Sequence, residues 1–133
     1  LPYWSDRHPD HVAASGVLTE ACFNAGLRRY PAGGEAWKVQ WICYYFINDS
    51  VEPSFVVDVS DVYGTKLEAL DCHASQFTAP SPQGAVATRL NTPVFRQLIE
   101  SRDAQFGARI GVARAEGVVV REPIVRSSLL KQP

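Results

Sequence analysis

In the stretch DRHPDH, ending at His11, two of the chain's three histidines, His8 and His11, stand three residues apart with the carboxylate of Asp10 between them. Two kinds of chemistry fit that spacing. Neutral imidazole is a zinc ligand, and a neighbouring carboxylate can accept a ring N–H and so fix tautomer and orientation. A helix N-terminus carries partial positive charge, which disfavours imidazolium and keeps a nearby His available as a neutral ligand. The same residues also make ordinary helix-start punctuation, because Pro suits the first turn and Asp the positive end of the dipole. An H-x-x-H pair supplies at most two ligands, whereas a catalytic zinc takes three from the protein plus water. The remaining histidine, His73, falls mid-helix near an apolar stripe, where a core or surface histidine is the commoner occupant.

Those side chains need elements to hold them. Leu1 to Arg7 reads as the end of a strand running into a loop, which sets HPDH in the turn before a helix. Ala14, Val17, Leu18, Ala21, Cys22 and Ala25 recur at helical spacing after Pro9, and Gly26 supplies a stop. This predicts a helix over 10–25. After the loop RRYPAGGEAW, Val39 to Ile47 is apolar on both alternating faces, as in a strand covered on both sides, and Asn48, Asp49 and Ser50 break it. Phe55 to Val59 predicts another strand, and Ser60 a cap for a helix striped by Leu67, Leu70, Ala74 and Phe77. TAPSPQGAVATRL reads as a loop or mobile lid. Thr92-Pro93 opens a helix with Phe95, Leu98, Ile99, Phe106 and Ile110 on one side and Gly111 as its stop, and Gly117 to Val125 predicts a last strand. The alternation favours an α/β layered architecture with a mainly parallel sheet, whose loops at the carboxyl ends of strands gather ligands.

Composition excludes several classes. The 133 residues are 46% hydrophobic and 11% aromatic with a formal charge of -1, the balance of one soluble globular domain. The 13 Lys and Arg are interspersed with 14 Asp and Glu, so no basic field addresses nucleic acid or an anionic membrane. No stretch approaches the ~18 apolar residues of a membrane span, and no basic-then-apolar leader is seen. A small, neutral or mildly charged partner is expected. Cys22, Cys43 and Cys72 form an odd set without a C-x-x-C pair, which predicts buried thiols in a reducing cytoplasm. A chain whose most chemical motif sits so near its start reads as the C-terminal part of something longer.

Taken in order, RHPDHVAAS, EACFNAGLRRYPAGGEAWKV, YYFIN, VEPSFVVDVSD, SQF, LNTPVF, ESRDAQFGARIGV and EGVVVREPI resemble the C-terminal portion of the LmbE/PIG-L family of zinc-dependent N-acetylglucosamine deacetylases. The resemblance covers essentially the whole chain and is most similar to the bacillithiol-biosynthesis branch, which deacetylates N-acetylglucosaminyl-malate. It implies a Rossmann-like three-layer α/β fold, here lacking its N-terminal strands, with bound Zn2+ and a small N-acetyl-glucosaminide substrate in the cytoplasm. It implies His11 as a zinc ligand, His8 as the group that stabilises the oxyanion or donates a proton, and Asp10 as the residue that orients His8. Water activated by the metal attacks the acetamide carbonyl, and acetate leaves the free amine. Arg7 reads either as a solvated surface residue, the commoner case, or as a partner for the malate carboxylate of the substrate, and His73 departs from the Tyr that relatives carry at a position near the mouth of the site.

One half of the family pattern is missing. The other two zinc ligands, a His and an Asp, and the general-base Asp belong to an A-H-P-D-D motif that these residues do not contain. The chain is therefore expected to carry half of an active site and, taken alone, not to turn over substrate. The strand at Val39 to Ile47 would then lack a neighbour or expose an apolar edge, which predicts either association, as a homo-oligomer, or marginal stability. The competing class is an inactive fragment or pseudo-enzyme that keeps a binding or oligomer-forming surface. HPD also marks J-domain cochaperones, but there it lies between two helices, and here only seven residues precede His8. A metallo-β-lactamase-like hydrolase needs H-x-H-x-D-H, and Arg7 to His11 lacks the first His.

Overall fold

A computed structural model describes residues 1–31, 33–77 and 88–128. The chain divides into two units, Leu1–Phe55 with Val118–Pro133, and Val56–Gly117. Of the segment 78–90 expected as a loop or lid, residues 78–87 lie outside those described.

The first unit is organised by its extended N-terminal segment. Tyr3 N–H donates to the Tyr45 carbonyl and Tyr45 N–H to that of Leu1, both at 2.9 Å, with Pro2 parallel beside Tyr45. On the other side, strand β1 (Tyr44–Tyr45) pairs antiparallel with β3 (Ala115–Val119), Tyr44 opposite Val119 and Tyr45 opposite Val118. The predicted strand 39–47 thus shrinks to two paired residues. Apolar alternation reports which side chains leave water, whereas a ladder needs a partner backbone, and β3 meets β1 over two residues. Tyr3, Tyr44, Phe46 and Val119 are buried. The aromatic rings meet edge to face, Tyr3 on Phe46 and Trp4 on Tyr44, and the Arg121 guanidinium lies over Trp4 and Tyr44.

Helix α1 (Pro9–Ala25) starts where the motif predicts, but the face it turns inward is not the predicted apolar stripe. Ser15 is fully buried and His11, Thr19 and Cys22 are half-buried, while Val17, Leu18, Ala21 and Ala25 are exposed. Hydrogen bonds fix this rotation. The Thr19 hydroxyl donates to the Ser15 carbonyl at 2.7 Å and lies 3.0 Å from the Tyr44 hydroxyl, tying the helix to β1 through polar groups.

Strand β2 (Phe55–Asp58), whose residues from Val56 on belong to the second unit, leads through a tight turn at Ser60–Val62 into α2 (Tyr63–Asp71), α3 (Ala74–Phe77) and α4 (Pro93–Ile110). Ser60 does not cap a helix. Its N–H and hydroxyl both donate to Asp58 Oδ1, at 2.9 and 2.7 Å, so the aspartate shapes the turn. The single helix expected here is divided at Cys72 and His73. α4 follows prediction at both ends, with Thr92 extended before Pro93 and Gly111 left-handed at φ 78°. It buries Phe95, Ile99, Asp103 and Phe106 at helical spacing, which places a carboxylate inside the apolar face. Asp103 accepts from the Tyr63 hydroxyl at 3.1 Å and Lys66 Nζ at 2.6 Å. Burial and the Asp103 charge push the Tyr63 phenol up to about 12.

The strand order is β1-β3-β2. Bonds from Ser54 N–H to the Val118 carbonyl and from Val59 N–H to that of Arg114 bracket β2 in opposite chain directions, so this pairing is antiparallel as well. The expected mainly parallel sheet is therefore replaced, among the described residues, by a small antiparallel one in a mixed α/β chain. No described helix is long and apolar enough to cross a membrane. The three cysteines are free, but none is buried as expected: Cys22 and Cys43 are half-buried and Cys72 is exposed.

Candidate functional site

After the turn at Trp4–Ser5 comes Asp6, whose side chain is fully buried. Five groups surround the carboxylate. Oδ1 accepts from His8 N–H at 2.9 Å and from Asn48 Nδ2 at 2.8 Å, and lies 2.9 Å from His11 Nδ1. Oδ2 accepts from Asn48 N–H at 2.9 Å and from Asp49 N–H at 3.4 Å. Burial raises the Asp6 carboxyl, but the hydrogen bonds from His8, Asn48 and His11 outweigh it and hold the group far below the ordinary carboxylate range. Asp6 is thus an ionised acceptor tying together the start of α1 and the loop after β1.

The two motif histidines then have different environments. Because the Asp6 carboxylate only accepts, the hydrogen on the 2.9 Å contact belongs to His11 Nδ1, which in a neutral ring leaves a lone pair on Nε2; Asn48 Nδ2 lies farther from the same Nδ1, at 3.4 Å. At His8 the order is reversed. Its Nδ1 accepts the Asp10 backbone N–H at 3.2 Å, making His8 the N-cap of α1, so the neutral ring carries its hydrogen on Nε2. The rings lie 4.9 Å apart and tilted by 34°, His8 about half exposed and His11 29% exposed. One presents a donor and the other an acceptor.

Asp10 acts on His8 through its backbone. Its carboxylate stands 4.0 Å from His8 Nδ1 and is 87% exposed. Arg7 is exposed beside His8, within the same unit. His73 belongs to the second unit, exposed in the turn between α2 and α3, where its N–H donates to the Leu70 carbonyl and its own carbonyl accepts from Gln76 and Phe77. Among the described residues, no three His, Cys, Asp or Glu converge to hold a metal. The donor set fits one position of a zinc site, His11 Nε2, backed by a carboxylate on the other ring nitrogen, as ligating histidines usually are.

Asp6 and Asn48 carry this geometry, and neither stood out in the sequence. Asp6 begins DRHPDH without a role in its spacing, and Asn48 and Asp49 read only as strand breakers. The available signal was an acid and an amide on either side of a strand end.

No family model matches the chain. Over 82 residues it is 37% identical to a diacetylchitobiose deacetylase of Thermococcus kodakarensis, a match covering 58% of this chain and 29% of that relative. Among solved structures, the conserved protein TT1542 of Thermus thermophilus superposes with a TM-score of 0.80 at 28% identity, over 98% of this chain and 54% of that one. An inhibitor-bound N,N'-diacetylchitobiose deacetylase of Pyrococcus horikoshii superposes with a TM-score of 0.63 over 87% of this chain and 41% of its own, and at 20% identity this likeness speaks to fold alone. The chain spans little more than half the length of the first of these structures and less of the other two relatives.

Proposed function

We propose that this chain is part of a zinc-dependent N-acetyl-sugar deacetylase, with His11 as a metal ligand and His8 as the donor to the developing oxyanion. The observation that carries the reading is the different partner of each ring, the Asp6 carboxylate at His11 Nδ1 and the Asp10 N–H at His8 Nδ1, with ring centroids 4.9 Å apart; neutral rings held so offer a lone pair at His11 and an N–H at His8. When bound, zinc supplies Lewis acidity that polarises the amide carbonyl and acidifies a water. His8 Nε2–H donates to the carbonyl oxygen as negative charge grows there, and stays aimed because its Nδ1 is held by the first turn of α1. Asp10 orients that ring through its backbone N–H, with its carboxylate facing solvent at the mouth. The remaining metal ligands and the general base come from residues outside these 133, in the layered Rossmann-like sheet that they complete.

The substrate is a GlcNAc conjugate, with Arg7 assigned to an acidic aglycone such as malate. The enzyme works in the cytoplasm and forms a homo-oligomer; the exposed apolar residues Val17 and Leu18 on α1 support the association. Metal analysis tests the core of this. In the deacetylase, wild-type protein is expected to hold stoichiometric zinc and the His11→Ala protein to lose it along with acetate release from GlcNAc-malate. Full zinc in the His11→Ala protein refutes the ligand role. The 133-residue chain with added zinc is expected to release no acetate; turnover by it refutes the division of the site. An upstream reading frame without the A-H-P-D-D motif favours the pseudo-enzyme.

A further inference from the structure

We infer that Asp6 is a positioning residue for the metal site: it selects the tautomer of His11 that leaves Nε2 free, and it locks the ring to the loop after β1. This rests on the proposed ligand role of His11 only where metal is concerned. The geometry stands without it. A free neutral imidazole prefers the hydrogen on Nε2, the tautomer that blocks metal binding at that atom. At His11 the 2.9 Å contact between Nδ1 and an acceptor-only carboxylate reverses that preference.

Three features distinguish this from a surface ion pair. Asp6 is fully buried, so the ring meets a fixed acceptor rather than a mobile one. Asn48 supplies both a backbone and a side-chain donor to the carboxylate, at 2.9 and 2.8 Å, which fixes its plane. His8 N–H donates to the oxygen that faces His11, so one carboxylate sets the backbone of one motif histidine and the ring of the other. Asp10, the acid inside the motif, has no such hold because its carboxylate is exposed.

Nitrogen NMR of the metal-free chain, at a pH where the rings are neutral, reads the tautomers directly. His11 is expected to carry its hydrogen on Nδ1, while His8 and the exposed His73 carry theirs on Nε2. A His11 ring protonated on Nε2, or averaging between the two forms, overturns the inference whatever the protein does with zinc. In Asp6→Asn the acceptor charge is removed, and the His11 tautomer is expected to relax towards Nε2–H. In the zinc-loaded protein the same substitution is expected to weaken zinc binding by about 10- to 100-fold. If Asp6→Asn does not fold, the wild-type spectrum alone decides. A locked Nδ1–H form in a protein whose His11→Ala variant keeps its zinc leaves the positioning geometry standing and overturns the metal role of both residues.

Discussion

His8 has two separable jobs, and substitution can divide them. Its ring Nδ1 caps α1 at the Asp10 N–H, 3.2 Å away, and its Nε2–H is the proposed oxyanion donor. Removing a side-chain N-cap costs about 0.5–2 kcal/mol in general. Here the bond is long and the ring is 51% exposed, which places the loss in the lower half of that range, about 0.5–1 kcal/mol. Pro9 keeps the first turn preorganised in either case. His8→Ala should therefore lower stability by that amount, whereas His8→Asn, whose amide oxygen reaches the same backbone N–H, should stay within about 0.3 kcal/mol of wild type. Urea unfolding followed by the fluorescence of the three tryptophans measures both, with unchanged slopes confirming that stability alone moved. If the proposed function holds, both variants should lose about 10²–10³ in kcat for acetate release, the usual cost of deleting an oxyanion donor. Equal destabilisation of the Asn and Ala variants would refute the capping role. An Asn variant with full activity would refute the donor role.

Three further outcomes concern the second unit. Asp103→Ala strands Lys66 and the Tyr63 hydroxyl around a buried gap; because Lys66 keeps its ion pair with Glu116, the loss should fall near the low end for a broken buried pair, about 3 kcal/mol, read as a shift of the urea midpoint. A loss below about 1 kcal/mol would show that Asp103 is not a central partner there. At Gly117 an added Cβ would sit 2.5 Å from Phe106 Cε2, so Gly117→Ala should destabilise by about 1–3 kcal/mol although alanine suits a strand better, and a more stable variant would contradict this packing. The raised Tyr63 phenol binds its proton more tightly in the folded chain. Its stabilisation is complete below pH 10 and is lost as pH rises from 10 towards 12, a fall of about 2–3 kcal/mol that Tyr63→Phe should abolish. An alkaline limb unchanged in Tyr63→Phe would assign that fall to another group.

Local signals survived folding and long-range ones did not. Pro9, Thr92-Pro93 and Gly111 act within one turn of themselves, and α1 and α4 start and α4 stops where those residues predict. Whether Val39 to Ile47 forms a strand depends on how much backbone arrives beside it. β3 offers two residues and the N-terminal segment one bridge, so most of that apolar run is left outside the ladder. The rotation of α1 failed for a related reason. Its apolar stripe gives a direction only if apolar contacts decide it, and here the Thr19–Tyr44 and His11–Asp6 hydrogen bonds set the inward face. Direction of pairing was equally illegible, because alternation of helix and strand carries no register.

At the candidate site the same distinction separates what a motif encodes from what the fold adds. HPDH encodes the helix start, and therefore which backbone N–H meets His8 Nδ1, because N-cap geometry spans two residues. It does not encode the state of His11. That ring is governed by an acid five residues earlier, which hydrogen bonds from His8, Asn48 and His11 keep ionised and to which Asn48 and Asp49 reach from more than forty residues away. A motif search rewards the acid inside HPDH, yet that carboxylate faces solvent, whereas the one outside the motif is buried and fully bonded. The physical requirement is an acceptor of fixed position and charge on the side of the ring away from the metal. Only a residue held by the rest of the fold can meet it, so the deciding carboxylate sits in the N-terminal segment, after the turn at Trp4–Ser5, rather than on the helix that carries the proposed ligand.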